Sequence, residues 1–289
     1  MVLIAHESMM FDLASIFASI GVGGIVMYTL FWAILGSILG SFLNVVALRY
    51  NTGLSINGRS GCFVCDKKLA WYELIPIVSY VIQQGHCREC SAKISPQYFL
   101  VELCSALFFA VFGLYYMDTL LTGSTMGLLG MFIQFIIACC LIVIFLYDMR
   151  HKIIPNGVAY TFIVLTLVYM VLGIAPEIIA GNVSAYTALN KIVAGILVTA
   201  PLAALWDVSQ GRWIGWGDIK LALGIGSVLG LTLGFSALLI AFYLGAFVGI
   251  VMLFTSRNAH MRTEIPFGPF LIIAFYIVFF TGLNVITFM

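Results

Sequence analysis

Polar residues are so sparse along this chain that they act as markers, and the apolar runs between them set the architecture. A membrane span needs roughly 20 predominantly apolar residues. Runs of that kind fall at 24–48, 98–117, 126–147, 157–174, 188–206, 219–232, 235–254 and 267–287, which predicts about eight transmembrane helices. Residues 13–48 form one uncharged run, too long for a single upright helix, and Gly21, Gly23 and Gly24 offer a break in it. Spans six and seven are divided by a weak polar break near Thr232 and Gly234. The one sizeable polar stretch, 49–97, follows the first span; within it, Trp71–Gln83 has the pattern of a short amphipathic helix lying on the membrane surface. The chain therefore divides into an N-terminal segment with the first transmembrane helix (1–48), a polar loop (49–97) and a core of about seven helices (98–289). The expected fold class is all-α, a polytopic membrane helix bundle with a small loop domain.

Composition sharpens this picture. Hydrophobic residues make up 63% of the 289 and charged residues 9%, with a mean hydropathy of +1.13, whereas soluble domains carry about 25% charge. A soluble enzyme, a nucleic-acid binder and a disordered protein are all excluded. The placement of the 13 Lys and Arg says more than the net charge of +1. Arg49, Arg59, Lys67, Lys68, Arg88 and Lys93 follow span one, Arg150 and Lys152 follow span three, Arg212 and Lys220 flank the start of span six, and Arg257 and Arg262 follow span seven. Lys191 alone falls on the other side, so the positive-inside rule turns 49–97 toward the cytoplasm and both termini away from it. Glu7 and Asp12, with no cation near them, are the wrong charge for a secretory signal peptide.

The polar loop carries Cys62-Phe-Val-Cys65 and, 21 residues on, Cys87-Arg-Glu-Cys90. Two such pairs are the spacing of a tetrahedral four-thiolate zinc site, structural because four thiolates leave no open position for water. Gly61 and Gly85 suit the turns such knuckles need. Two disulfides or four idle thiols are the other readings, and a reducing cytoplasm disfavours the disulfides. His86 is either a neighbour that supports the ligands or a solvated side chain. Cys104, Cys139 and Cys140 read as small packing residues in apolar spans.

Ionisable groups at a membrane edge are costly and point to function. Asp148 ends span three and Asp218 begins span six, at the same cytoplasmic depth, while Glu102 lies just inside span two. Two facing carboxyls share one proton; the ionised one takes a proton from water while the protonated one donates to a scissile carbonyl. The other reading makes each aspartate a helix-end residue, Asp218 as an N-cap, balanced by Arg150 and Lys220. A transporter with a zinc-stabilised cytoplasmic cap is the competing class, although transporter carboxylates tend to sit near the midplane.

Taken together, the motifs resemble those of the bacterial type IV prepilin peptidases, membrane aspartic proteases of the GxGD type. The resemblance rests on Gly36-Ser-Ile-Leu-Gly40-Ser-Phe-Leu-Asn44 with Arg49-Tyr50, the paired cysteine motifs, Trp71-Tyr-Glu73-Leu-Ile-Pro76, and Ser95-Pro-Gln-Tyr-Phe-Leu-Val-Glu102. It continues through Asp148 with Ile153-Ile-Pro155-Asn156, Gly215-Trp-Gly217-Asp218, and Glu264-Ile-Pro266-Phe-Gly268-Pro269. The extra glycine that often precedes GxGD in the family is absent, with Trp213 or Ile214 in its place. The resemblance implies that Asp148 and Asp218 cleave the basic leader from type IV prepilins and type II secretion pseudopilins after a glycine, at the face of the bacterial inner membrane. It also implies Zn2+ on Cys62, Cys65, Cys87 and Cys90. N-methylation of the new terminus with S-adenosylmethionine goes with the long loop, and Glu73 and Glu102 are the residues offered for that second site. Their other reading is as interfacial charges that orient the loop.

Overall fold

The computed structural model describes residues 13–53, 60–179, 185–255 and 265–288. The chain divides into two compact units, Met9–Gly123 and Ser124–Met289, the second taking in Met1–Ser8, which lie outside the described residues.

In the first unit, α1 (Leu13–Arg49) carries the uncharged run and breaks at Gly21, where φ 73 and ψ 163 lie outside the helical region. Glycine adopts that conformation without a Cβ penalty. The loop contains a 3₁₀ turn (Trp71–Leu74) and a five-residue helix, α2 (Val78–Ile82). The expected surface helix over Trp71–Gln83 is thus two short pieces, because Pro76 and a positive φ at Ile77 part them. The second span is α3 (Pro96–Tyr115), with Ser95 as N-cap and Pro96 at its first position, and α4 (Met117–Thr122) follows it.

Helix α3 packs along α1. A Cβ on Gly36 would stand 2.6 Å from the Ser105 carbonyl oxygen, and one on Gly40 2.6 Å from the Ser105 side chain. These two glycines, four apart, let the backbones approach as closely as small-residue membrane interfaces require. Trp32 fills the space opposite Gly113, and Gln97 Nε2 donates to Asn44 Oδ1 at 3.3 Å. Compactness therefore places the second span with the first, whereas the sequence partition at 97/98 followed polarity.

The second unit holds α5 (Thr125–His151), α6 (Asn156–Ile179), α7 (Ala185–Ser209), α8 (Trp216–Leu229), α9 (Leu231–Thr255) and α10 (Gly268–Thr281). Helix α8 is its centre and packs against α6, α7, α9 and α10, while α5 packs against α6 and α10. Its middle is small and buried: Ala222, Gly224, Ile225, Gly226 and Ser227. The α8–α9 break falls at Gly230, with φ 81, rather than at the weak polar step near Thr232 and Gly234. Each predicted span overlaps a helix, the sixth running across Gly230 into α9 and the eighth beyond the end of α10, and among the described residues five helices are long and apolar enough to cross a membrane. Helices α8 and α10 have 14 residues each, about 21 Å, against about 30 Å of hydrocarbon.

Gly36→Leu is expected to lower the unfolding midpoint in detergent by the equivalent of about 1–3 kcal/mol of overpacking. Gly23→Leu, whose Cβ would meet nothing within 4 Å, should leave the midpoint unchanged.

Candidate functional site

Helix α5 ends at His151 because Lys152 turns left-handed, its N–H donating to the Asp148 carbonyl at 2.8 Å. Pro155 then keeps Ile154 out of the helical region, and α6 starts at Asn156. Asp148 thus stands in the last turn of α5, 4% exposed. Asp218 stands in the first turn of α8, 8% exposed. The N-cap of α8 is Gly215, whose carbonyl accepts from the Asp218 N–H at 3.1 Å and whose N–H donates to the Asp218 carboxyl, so Asp218 is not the N-cap.

Three chain segments converge on these carboxyls. A Cβ on Gly268, the first residue of α10, would stand 2.6 Å from Asp148 Oδ2 and 3.4 Å from the Ile154 side chain. A Cβ on Gly217 would stand 2.7 Å from Ile154. Ile154 therefore lies between the start of α8 and the start of α10, and glycine is the residue that leaves it room on both sides. The two aspartates are near enough for the charge of Asp148 to act on Asp218. Asp148 Oδ2 and Asp218 Oδ1 are buried without a hydrogen-bond partner.

Neither aspartate joins an ion pair among the described residues. Lys220 Nζ donates instead to Asn156 Oδ1 at 2.7 Å and lies 4.5 Å from the Tyr160 ring centroid, pinning α8 to α6. The charge-balance reading of Lys220 is thereby answered. Gly268 and Ile154 belonged to recognised motifs, but sequence pattern assigned neither a role; the signal was a glycine at a helix start and a β-branched residue before proline. Glu264, from the same final motif, lies outside the described residues, as do Arg59, Arg257 and Arg262.

The cysteine loop repeats itself. Cys62 N–H donates to Lys67 O, Asp66 N–H to Cys62 O and Leu69 N–H to Ser60 O; Cys87 N–H donates to Ala92 O, Ser91 N–H to Cys87 O and Ile94 N–H to Gly85 O. Asp66 and Ser91 hold the left-handed positions, φ 52 and 56. Gly61 does not use left-handed backbone, whereas Gly85 does, with φ 69. The four Sγ atoms lie within 4.8 Å of one another, and Cys62 Sγ and Cys90 Sγ are 3.7 Å apart. A tetrahedron with metal–sulfur bonds of about 2.3 Å has edges of about 3.8 Å, so the cluster fits a metal ion. The N–H groups of Cys65 and Val64 draw the Cys62 thiol down to about 6, and those of Cys90 and Glu89 lower Cys87. Cys65 moves the other way, to about 12: the Lys67 N–H favours its thiolate, but desolvation and the neighbouring sulfurs outweigh it. His86 is exposed and turned to the Gln84 carbonyl, 2.7 Å from its Nδ1.

Glu73 and Glu102 are both buried in the first unit but serve different turns. Glu73 Oε2 accepts from the Ala70 N–H at 2.9 Å and Oε1 pairs with Lys67 Nζ at 3.6 Å. Glu102 Oε2 accepts from the Ile77 N–H at 2.7 Å. Neither geometry specifies a methyl-donor pocket.

The family model described as Bacterial Peptidase A24 N-terminal domain matches residues 34–116, inside the first unit. The model described as Type IV leader peptidase family matches residues 135–250, inside the second. Among curated proteins, the chain is 31% identical over 266 residues to the prepilin leader peptidase/N-methyltransferase of Vibrio cholerae serotype O1, covering 88% of this chain and 97% of that protein. It is 32% identical over 256 residues to the protein of the same name from Bacillus subtilis, covering 88% and 95%. The Pseudomonas aeruginosa protein of that name is 30% identical over 278 residues, covering 86% and 89%. No solved structure matches significantly. Both parts of the chain and nearly the full length of these relatives are accounted for, and the protein belongs to the type IV leader peptidase family.

Proposed function

We propose that this protein is a membrane aspartic endopeptidase that removes the basic leader of type IV prepilins and pseudopilins after a glycine, and then methylates the new N-terminus. The observation that carries the peptidase is the meeting of Asp148 and Asp218 at one buried point, with no cation paired to either among the described residues. Two carboxyls so placed hold one proton between them. The ionised carboxylate takes a proton from water, and the oxygen of that water attacks the carbonyl carbon of the glycine. The protonated carboxyl donates to the carbonyl oxygen, the C–N bond breaks, and the amine nitrogen leaves with a proton. The chemistry requires no metal. A transporter reading gains nothing from this arrangement, since both carboxyls sit at helix ends rather than at a broken midplane helix.

Orientation follows from charge: the basic residues turn the site and the cysteine loop toward the cytoplasm of the inner membrane, with both termini on the far side. The leader then stays in the cytoplasm, the apolar helix of the substrate stays in the bilayer, and their junction reaches the aspartates. Zn2+ on Cys62, Cys65, Cys87 and Cys90 would cross-link the two knuckles. S-adenosylmethionine, when bound, supplies the methyl group that the freed amine accepts. Methylation is the activity carried in the relatives' names; Glu73 and Glu102 stay candidates for its site, each already bonded to the loop backbone.

Co-expression with a prepilin, read by mass spectrometry, should show loss of the leader and a gain of one methylene. Asp148→Asn and Asp218→Asn are each expected to abolish leader loss while the protein stays inserted and folded; normal cleavage by either variant overturns the dyad. Gly217→Ala should reduce cleavage about tenfold or more by displacing Ile154, and Ile154→Ala in the same chain should restore part of it, a coupling that separate structural effects would not give. Metal analysis of protein purified under reducing conditions should find one zinc per chain, lost in Cys62→Ser or Cys87→Ser together with protease resistance of the loop.

A further inference from the structure

The apolar side chains of the polar loop point outward. Trp71 is 78% exposed, Val81 60% and Ile82 63%, and Leu74, Ile75 and Val78 are exposed with them. In a loop standing in water this would be a costly surface.

The depth of the segment is fixed by α3. The Ile77 N–H is bonded to Glu102 at 2.7 Å, and the Tyr80 ring stacks on Phe99 at 5.3 Å. Val78 N–H donates to Pro76 O at 2.6 Å, closing a γ-turn whose central residue, Ile77, sits at φ 63 and ψ −55. A β-branched residue holds that conformation only where its surroundings impose it, and the buried Glu102 carboxylate is what imposes it here. Helix α3 has 20 residues, about 30 Å, so all of it is needed to cross the hydrocarbon core. Glu102 lies about 9 Å along its axis from Pro96. A turn bonded to Glu102 therefore cannot stand clear of the membrane.

We propose that Trp71–Ile82 is embedded in the headgroup–acyl boundary of the bilayer, its partner being the lipid itself, and that Glu102 is the positioning residue that holds it there. The same lipid surface accounts for a difference between the two knuckles. Each tip must offer two backbone N–H groups to a sulfur, yet one tip is Phe63-Val64, 86% and 72% exposed, and the other is Arg88-Glu89. Arg88 lies 5.2 Å from the Tyr72 ring centroid, beside Trp71, as cations and aromatic rings pair at a headgroup level. This proposal rests on depth and exposure and is independent of the proposed chemistry.

The test uses full-length protein in nanodiscs of phosphatidylethanolamine and phosphatidylglycerol. The emission of wild type minus that of Trp71→Phe isolates Trp71. Lipids brominated on the upper acyl carbons should quench that signal about twofold or more, as burial 5–10 Å into the boundary requires, while iodide quenches it little. A second probe, Ile82→Trp in the Trp71→Phe background, should behave alike. Quenching of both probes by iodide and not by brominated lipid overturns the proposal. Shielding from iodide that arises only when a prepilin is added also overturns it, and assigns the surface to the substrate instead.

Discussion

Removing a carboxylate from water costs several kcal/mol unless a cation or hydrogen-bond donors meet it. Asp148 and Asp218 are both buried, and among the described residues no cation pairs with either. Much of the second unit is arranged around that cost. Helix α8 begins with a glycine N-cap so that its first turn, where the helix dipole favours negative charge, presents Asp218. Helix α10 begins with Gly268 so that its backbone can lie against the Asp148 carboxyl. Lys220, two residues from Asp218, is drawn off to Asn156 and Tyr160. On the proposed function the pair would also share one proton, which is the condition for peptide hydrolysis.

Much of this was legible in the sequence. Eight apolar runs became helices because, in lipid, backbone polar groups have no other partners than one another. The paired cysteine motifs became two knuckles with one hydrogen-bond pattern, since the pattern depends on backbone and spacing rather than on the intervening side chains. What stayed hidden was interaction across distance in the chain. The division at Gly230 needed a left-handed residue that hydropathy does not register. The joining of the second span to the first needed Gly36 and Gly40 to meet Ser105. Ile154 gained its role from two glycines 63 and 114 residues away.

Glu73 and Glu102 show how buried carboxylates hold backbone turns. Glu73 and Glu102 stood out by rarity, as Asp148 and Asp218 did. All four carboxyls are met by backbone: the glutamates accept from the N–H groups of Ala70 and Ile77, Asp148 from that of Gly268 and Asp218 from that of Gly215, while Asp148 Oδ2 and Asp218 Oδ1 have no partner. On the proposed function, these two unpartnered oxygens are what the site offers to a substrate.

Helices α8 and α9 leave the same turn at Gly230, but α9 has 25 residues to the 14 of α8. The longer helix overruns the Asp218 end by about 16 Å, and its last turns expose Phe247, Ile250 and Phe254. The Asp218 end of α8 thus lies beside an apolar wall. On the proposed function, a prepilin anchored by its own apolar helix would reach that end by sliding in the plane of the lipid. Enzyme and substrate would then meet by lateral diffusion, and the turnover of the pair would be governed by copies per unit area of membrane rather than by concentration in the cytoplasm.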